Sequence, residues 1–187
     1  MKKFLSLVLA LVMTMSLVTV SAGAKDFTDN SKINYKEAVD VMSAVKVIDG
    51  YTDGSFRPNA AITRAEFASI AARFDKLSGG TKSFSDVPTN HWAYAAITSA
   101  AEKGWVNGYS DGTFRPDNAI TRSEVVKITN AVLGRSCDKD YVAKNISKLT
   151  SYNDLSNTYW AYYDILEASN AHDYKTASGV ESWTGLK

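Results

Sequence analysis

The chain has 187 residues, 45% hydrophobic and 22% charged, with 11 Gly and 3 Pro, a composition that excludes a disordered or collagen-like protein. Its 21 basic and 20 acidic residues exclude a non-specific polyanion binder such as a nucleic-acid-coating protein, which needs a basic excess. Cys137 is the only cysteine, so there is no intrachain disulfide framework, and its expected role is that of a small, partly buried hydrophobe.

Residues 1–24 open with Lys2 and Lys3, run apolar from Phe4 to Val20 and close on Ser21-Ala22-Gly23-Ala24, the order of a secretory signal peptide. An uncleaved membrane anchor is the alternative, since a spanning helix needs at least roughly 17 apolar residues. The small residues at 22 and 24 favour removal after one or the other. Cleavage after Ala24 leaves 163 residues with 19 basic and 20 acidic side chains, enough for one sizeable core. No later segment is apolar enough to span, so the expectation is an exported chain without membrane contact once the leader is removed.

A repeat organises the rest. At a shift of 58, Gly50-Tyr-Thr-Asp-Gly-Ser-Phe-Arg-Pro-Asn-Ala-Ala-Ile-Thr-Arg-Ala-Glu-Phe67 falls on Gly108-Tyr-Ser-Asp-Gly-Thr-Phe-Arg-Pro-Asp-Asn-Ala-Ile-Thr-Arg-Ser-Glu-Val125, with 12 of 18 positions identical, which means a modular architecture. Looser matches extend upstream, pairing Phe27-Thr28-Asp29 with Phe84-Ser85-Asp86. A third start, Tyr152-Asn153-Asp154 followed by Trp160-Ala161-Tyr162, has no Gly-Tyr-x-Asp-Gly and no Thr-Arg-x-Glu after it. The expected organisation is a signal peptide at 1–24, modules at 25–78 and 79–135, a partial third at 136–175 and a tail at 176–187.

In chain order, Tyr35 to Lys46 reads as a helix burying Ala38, Val41, Met42 and Val45, and Asn90 to Lys103 as its counterpart, with Trp92, Ala95, Ala96, Ser99 and Ala100 on one face. Gly104 is the expected stop, a job that falls to Asn170 in the third copy. Between the helices, Asp53-Gly54 and Asp111-Gly112 mark tight reversals. Arg57-Pro58 and Arg115-Pro116 stiffen the exits, and each arginine is expected to pair with the turn aspartate. Asp29, Asp86 and Asp154 read as caps of the first helices. The second helices open with Thr63-Arg64-Ala65-Glu66 and Thr121-Arg122-Ser123-Glu124, both capping boxes. Phe67, Ile70 and Ala71 continue one face, and Val125, Ile128, Ala131 and Val132 the other.

Arg64 and Arg122 stand at the first helical position, where the positive end of the helix disfavours a cation by about 0.3–1 kcal/mol. Together with free amides of the helix start and the Asp-Gly turn, a guanidinium makes a receptor for one carboxylate. The other reading pairs Arg64 with Glu66 or with a carboxylate of an adjacent repeat. Trp92 and Trp160 also admit two readings, core anchor or platform for a sugar ring.

Together, the Phe-x-Asp starts, His91-Trp92-Ala93, the Gly-Tyr-x-Asp-Gly-x-Phe-Arg-Pro loops and the Ile-Thr-Arg-x-Glu helix starts resemble the S-layer homology (SLH) module of bacterial cell-surface proteins, over about Phe27 to Tyr174. The resemblance implies a mainly α fold, a pseudo-threefold spindle of tandem modules around a central helical bundle. It implies non-covalent cell-wall anchoring through a secondary cell-wall polymer with pyruvate ketals, bound in grooves between modules. By motif match the carboxylate falls to Arg64 and Arg122, the sugar face to Trp92 and Trp160, and close backbone contacts to Gly54 and Gly112. The implied place is outside the cell, in the bacterial wall or S-layer, with other surface proteins as further partners. No catalytic residue, metal or cofactor is expected.

Two departures stand out: the first copy has Asn34 where the second has Trp92, and the third copy has no Thr-Arg-x-Glu helix. Lys139 to Leu149, with Tyr141, Val142 and Ile146, is the substitute packing on offer, and a central helix borrowed from another subunit would make an oligomer. An EF-hand-like calcium loop at Asp49 and Asp53 fails because Tyr51 and Ala60 fall on ligand positions. A wall hydrolase lacks a carboxylate pair or a nucleophile with its base, His91 and His172 being the only histidines. A protein-binding adaptor is the remaining alternative, favoured if Tyr162, Tyr163 and Trp183 are exposed.

Overall fold

Helix-start chemistry decides where the chain turns helical, and a computed structural model describes residues 23–187. The expected signal peptide lies outside the described residues except for Gly23 and Ala24. The described chain is mainly helical: α1 (Lys36–Ala44), α2 (Arg64–Phe74), α3 (Tyr94–Glu102), α4 (Arg122–Val132), α5 (Lys139–Asn145) and α6 (Tyr162–Ser169), then β1 (His172–Ala177) and β2 (Val180–Leu186). No described helix is long and apolar enough to cross a membrane. The chain forms two compact units that divide between Ala60 and Ala61, inside the first repeat.

The first unit holds a small cluster of Phe27, Ile33 and Val39 with Phe56 against it. Helix α1 buries Val39 and Ser43, whereas Val41 and Val45 of the expected face are exposed. The helix is rotated from the expected setting because Val39 is the side chain that meets Phe27 and Ile33.

In the second unit both capping boxes are complete. The Thr63 hydroxyl accepts the Glu66 amide at 3.2 Å and the Glu66 carboxylate accepts the Thr63 amide at 2.7 Å; Thr121 and Glu124 repeat this at 3.3 and 2.9 Å. Helix α2 packs on α3 and touches α4, which packs on α6. The core between them is built of small residues, Ala65, Ala68, Ala71, Ala93, Ala100 and Ala101, around Ile97, Trp105, Phe114 and Ile128. Alanine on facing helices lets them approach closely. The buried stripe runs from Ala93, just before α3, through Ile97, Ala100 and Ala101, and Trp92 is 64% exposed. The expected face led by Trp92 is therefore corrected: the helix starts at Tyr94, which leaves Trp92 in the preceding turn. Gly104 ends α3 with φ 73, as expected.

The third copy is filled in differently. Val142 of α5, Leu149, Leu166 of α6 and Trp183 of β2 form one cluster, with Tyr141 and Cys137 packed on it; Ile146 is exposed. The residues expected as a tail belong to an antiparallel hairpin pairing His172 with Leu186 and Ala177 with Val180. Its two-residue turn, Ser178 and Gly179 at φ 51 and 78, has the double positive φ that suits the strand twist. Asn170 ends α6 without the left-handed conformation expected of it. Its φ is −121, and its side-chain amide donates to the Leu166 carbonyl at 2.9 Å while its oxygen accepts the Thr150 amide at 2.7 Å.

Candidate functional site

Each repeat loop is held by its own aspartates. Asp53 accepts from Ser55 and pairs with Arg57 at 2.7 Å; Asp111 accepts from Thr113 and pairs with Arg115 at 2.9 Å, as the sequence predicts. The Thr113 hydroxyl and amide and the Arg115 guanidinium hold the Asp111 carboxyl down at about 2. Gly54 and Gly112 take φ 80 at the reversal, and the Gly112 carbonyl accepts the Ser85 amide at 3.0 Å.

Asp29 and Asp86 correct an expectation. They do not cap the first helices; each carboxylate reaches across to the loop. Asp29 accepts the amides of Phe56 and Arg57, both at 2.8 Å, and Asp86 those of Phe114 and Arg115, both at 2.7 Å. Two successive amides converge on one carboxylate because Arg57 and Arg115 sit in the left-handed region at φ 59 and 58, the geometry of an anion-binding nest. The Phe56 amide is the largest influence pulling the Asp29 carboxyl below its usual range. Asp154, in the copy without a loop, is exposed.

A cleft of about 230 Å³ opens in the second unit, lined among others by Arg64, Tyr109, Phe114, Glu124, Lys127 and Trp160. It draws on three copies: the start of α2, the loop and α4 of the second, and Trp160 of the third. Arg64 is 6% exposed. Its Nε donates to the Phe114 carbonyl at 2.8 Å and its Nη2 to the Asn107 carbonyl at 3.1 Å, and its Nη1 pairs with Glu124. The guanidinium lies 5.0 Å from the Tyr109 ring centre and 4.6 Å from that of Phe114. The partner of Arg64 is thus the carboxylate of the adjacent repeat, while Glu66 caps its own helix.

Of the six expected site residues the cleft unites Arg64 and Trp160. Trp160 is 53% exposed, tilted against Tyr159, with Lys127 Nζ 5.6 Å from its ring. Trp92 is stacked on His91; its exposure and that of Trp160 remove the core reading for both. Arg122 is exposed, because the third copy has no glutamate equivalent to Glu124 to draw it inward. Gly54, Gly112, Trp92 and Arg122 do not line the cleft. The sequence reading missed Tyr109 and Lys127, although Tyr109 belongs to the repeated Gly-Tyr-x-Asp-Gly and Lys127 follows Glu124 by three positions, on the same side of the helix.

A second polar cluster lies under the hairpin. Glu167, His172 and Glu181 are buried with ligand atoms within 4.8 Å of one another, a spacing that could hold a metal. The donor set does not fit one, because Arg135 already stands at the cation position, 2.8 Å from Glu167, 2.9 Å from Glu181 and 2.8 Å from His172 Nε2. His172 Nδ1 donates to the Asn170 carbonyl, an acceptor only, at 2.6 Å, and its ring stacks on Trp183 at 3.7 Å. Burial pushes the Glu167 carboxyl up. Burial also opposes ionisation of Glu181, but hydrogen bonds from the Arg135 guanidinium and the Ser136 amide prevail and hold its carboxyl low. Burial raises the nearby Cys137 thiol to about 12, the mark of an inert cysteine.

Two helix-loop-helix repeats with clasped loops and boxed helix starts define a tandem-module protein. The S-layer homology domain matches residues 26–68 and 83–126, and the chain belongs to that family, a secreted family of the bacterial cell wall and S-layer. It is 34% identical over 161 residues to the cellulosome-anchoring protein of Acetivibrio thermocellus, covering 78% of this chain and 34% of that protein. It is 30% identical over 142 residues to the surface layer protein of Brevibacillus choshinensis, covering 72% and 13%. It is 33% identical over 148 residues to an amylopullulanase of Thermoanaerobacterium thermosulfurigenes, covering 78% and 8%. The chain thus spans about a third or less of the length of these relatives.

Proposed function

We propose that the chain is a non-catalytic anchor that binds the bacterial wall non-covalently through a secondary cell-wall polysaccharide bearing pyruvate ketals. The observation that carries this is the cleft, where an arginine, a lysine and exposed aromatic rings meet at the junction of three copies. Aromatic faces take the apolar face of a sugar ring, and the cationic side chains of the cleft suit an acidic substituent on it. In this reading Arg64 and Trp160 serve the cleft. Arg122, Trp92, Gly54 and Gly112 serve further contacts of the pseudo-threefold spindle that the family suggests.

The adaptor reading asked for exposed Tyr162, Tyr163 and Trp183. Of these Tyr163 is exposed, but Tyr162 is half-buried and Trp183 is buried, its indole donating to Glu167 at 3.1 Å, so the glycan reading is the better supported. Co-sedimentation with wall sacculi, intact and stripped of secondary polymer, tests it with wild type and an Arg64→Ala, Arg122→Ala double variant. Wild type is expected to pellet with intact walls alone, and the double variant to stay in solution. Equal pelleting with both wall preparations would sink the proposal.

A further inference from the structure

The cleft contains three charged side chains, Arg64, Glu124 and Lys127, and two of them neutralise each other. Arg64 spends its Nε and one N–H of each terminal nitrogen on Phe114, Asn107 and Glu124. Glu124 is equally committed, its second oxygen accepting the Thr121 amide at 2.9 Å and hydroxyl at 2.8 Å. A ligand carboxylate approaching Arg64 meets an ion pair with no net charge, and the desolvation cost of bringing an anion there is uncompensated. Lys127 makes no ion pair among the described residues. Its ammonium stands over the Trp160 ring, 5.6 Å from the ring centre, so the charge and the exposed indole share one wall of the cleft.

We infer that Lys127 sets the charge preference of the cleft: it supplies the one uncompensated positive charge, so that an anionic glycan is chosen over its neutral counterpart, while Arg64 fixes the shape of the wall and donates a hydrogen bond. Lys127 lies outside the repeated Thr-Arg-x-Glu motif, and Thr-Arg-Ala-Glu66 is followed by Ser69 at the corresponding place. The charge is therefore a property of this cleft, not of the repeat. The inference rests on the glycan-binding reading and names the residue that reads the acid.

The test is isothermal titration of the full secreted chain with purified pyruvylated wall polymer and with the same polymer after mild-acid removal of the ketal. The ratio of the two affinities is the readout, for wild type, Lys127→Met and Lys127→Arg. Wild type is expected to prefer the pyruvylated polymer. Lys127→Met is expected to lose about tenfold of that preference and to flatten its salt dependence, and Lys127→Arg to keep both. A Lys127→Met chain with the wild-type preference overturns the inference and leaves the anchoring proposal standing. A wild type that binds both polymers equally, or neither, overturns the inference together with the carboxylate reading. Loss of preference in Lys127→Arg as well assigns the effect to shape and also overturns it.

Discussion

The second and third copies face the same task, closing the free side of a first helix, and solve it with different chemistry. In the second copy a loop and a boxed helix do so through backbone amides, small apolar residues and one arginine bridging repeats. In the third, where that segment is missing, a hairpin closes the cluster and is tied down by Arg135, Glu167, His172 and Glu181. The repeat spreads its polar interactions over many separate pairs, carboxylates on backbone amides and single ion pairs, whereas the hairpin concentrates them in one charged knot. A spread network loses little when one member goes, and a concentrated one loses much, because each group left behind is buried and charged.

The sharpest test of that contrast is Arg135→Met. It leaves two buried carboxylates and a histidine without their cation, and urea unfolding is expected to show a loss of about 3 kcal/mol, with removal of both carboxylates in the same chain restoring most of it. Arg64→Met is expected to cost less, about 2 kcal/mol, because Glu124 keeps its capping bonds and reaches solvent. An Arg64→Met loss larger than that of Arg135→Met would reverse the comparison.

Two glycines refine it within the second copy. A Cβ on Gly108 would meet Phe84 at 2.5 Å and the Thr113 carbonyl at 2.7 Å, whereas one on Gly112 meets nothing. Gly112→Ala therefore pays only the left-handed backbone, about 1 kcal/mol, and Gly108→Ala is expected to lower the melting temperature further. The smallest effect is a pH dependence. The folded Asp111 carboxyl lies below its ordinary 3.8, at about 2, so its contribution is present above 3.8 and fades as pH falls toward 2. Asp111→Asn is expected to flatten the acid limb of the stability curve in that window, and an unchanged limb would show that the exposed clasp adds nothing measurable.

The contrast also marks what the sequence could disclose. Capping boxes, Asp-Gly reversals and the Asp111 to Arg115 pair are local, within five residues, so their chemistry is written where it acts. The hold of Asp86 on Phe114 and Arg115 spans 28 and 29 residues, and an aspartate before a helix looks the same whether it caps that helix or reaches a distant loop. The rotation of α3 hid for a similar reason: Ile97 is buried and Trp92 is not, and hydrophobicity alone ranks the tryptophan first. The hairpin went unseen because Lys175, Thr176, Glu181 and Ser182 carry no apolar alternation, and its stability comes from Trp183 and a charge network assembled by the fold. Of the cleft, Arg64 and Trp160 were legible through the repeat. Lys127 was not, being unrepeated and significant only once Glu124 is seen to cancel Arg64.

The carboxylates of Asp29 and Asp86 have a kinetic meaning as well. By joining the start of a copy to amides 27 to 29 residues later, each closes a ring that holds one first helix and its loops, and closing so short a ring costs little chain entropy. Such rings can form before any partner copy is in place, which favours fast folding. Each copy thus carries its own starting point for folding, and the chain can assemble ring by ring.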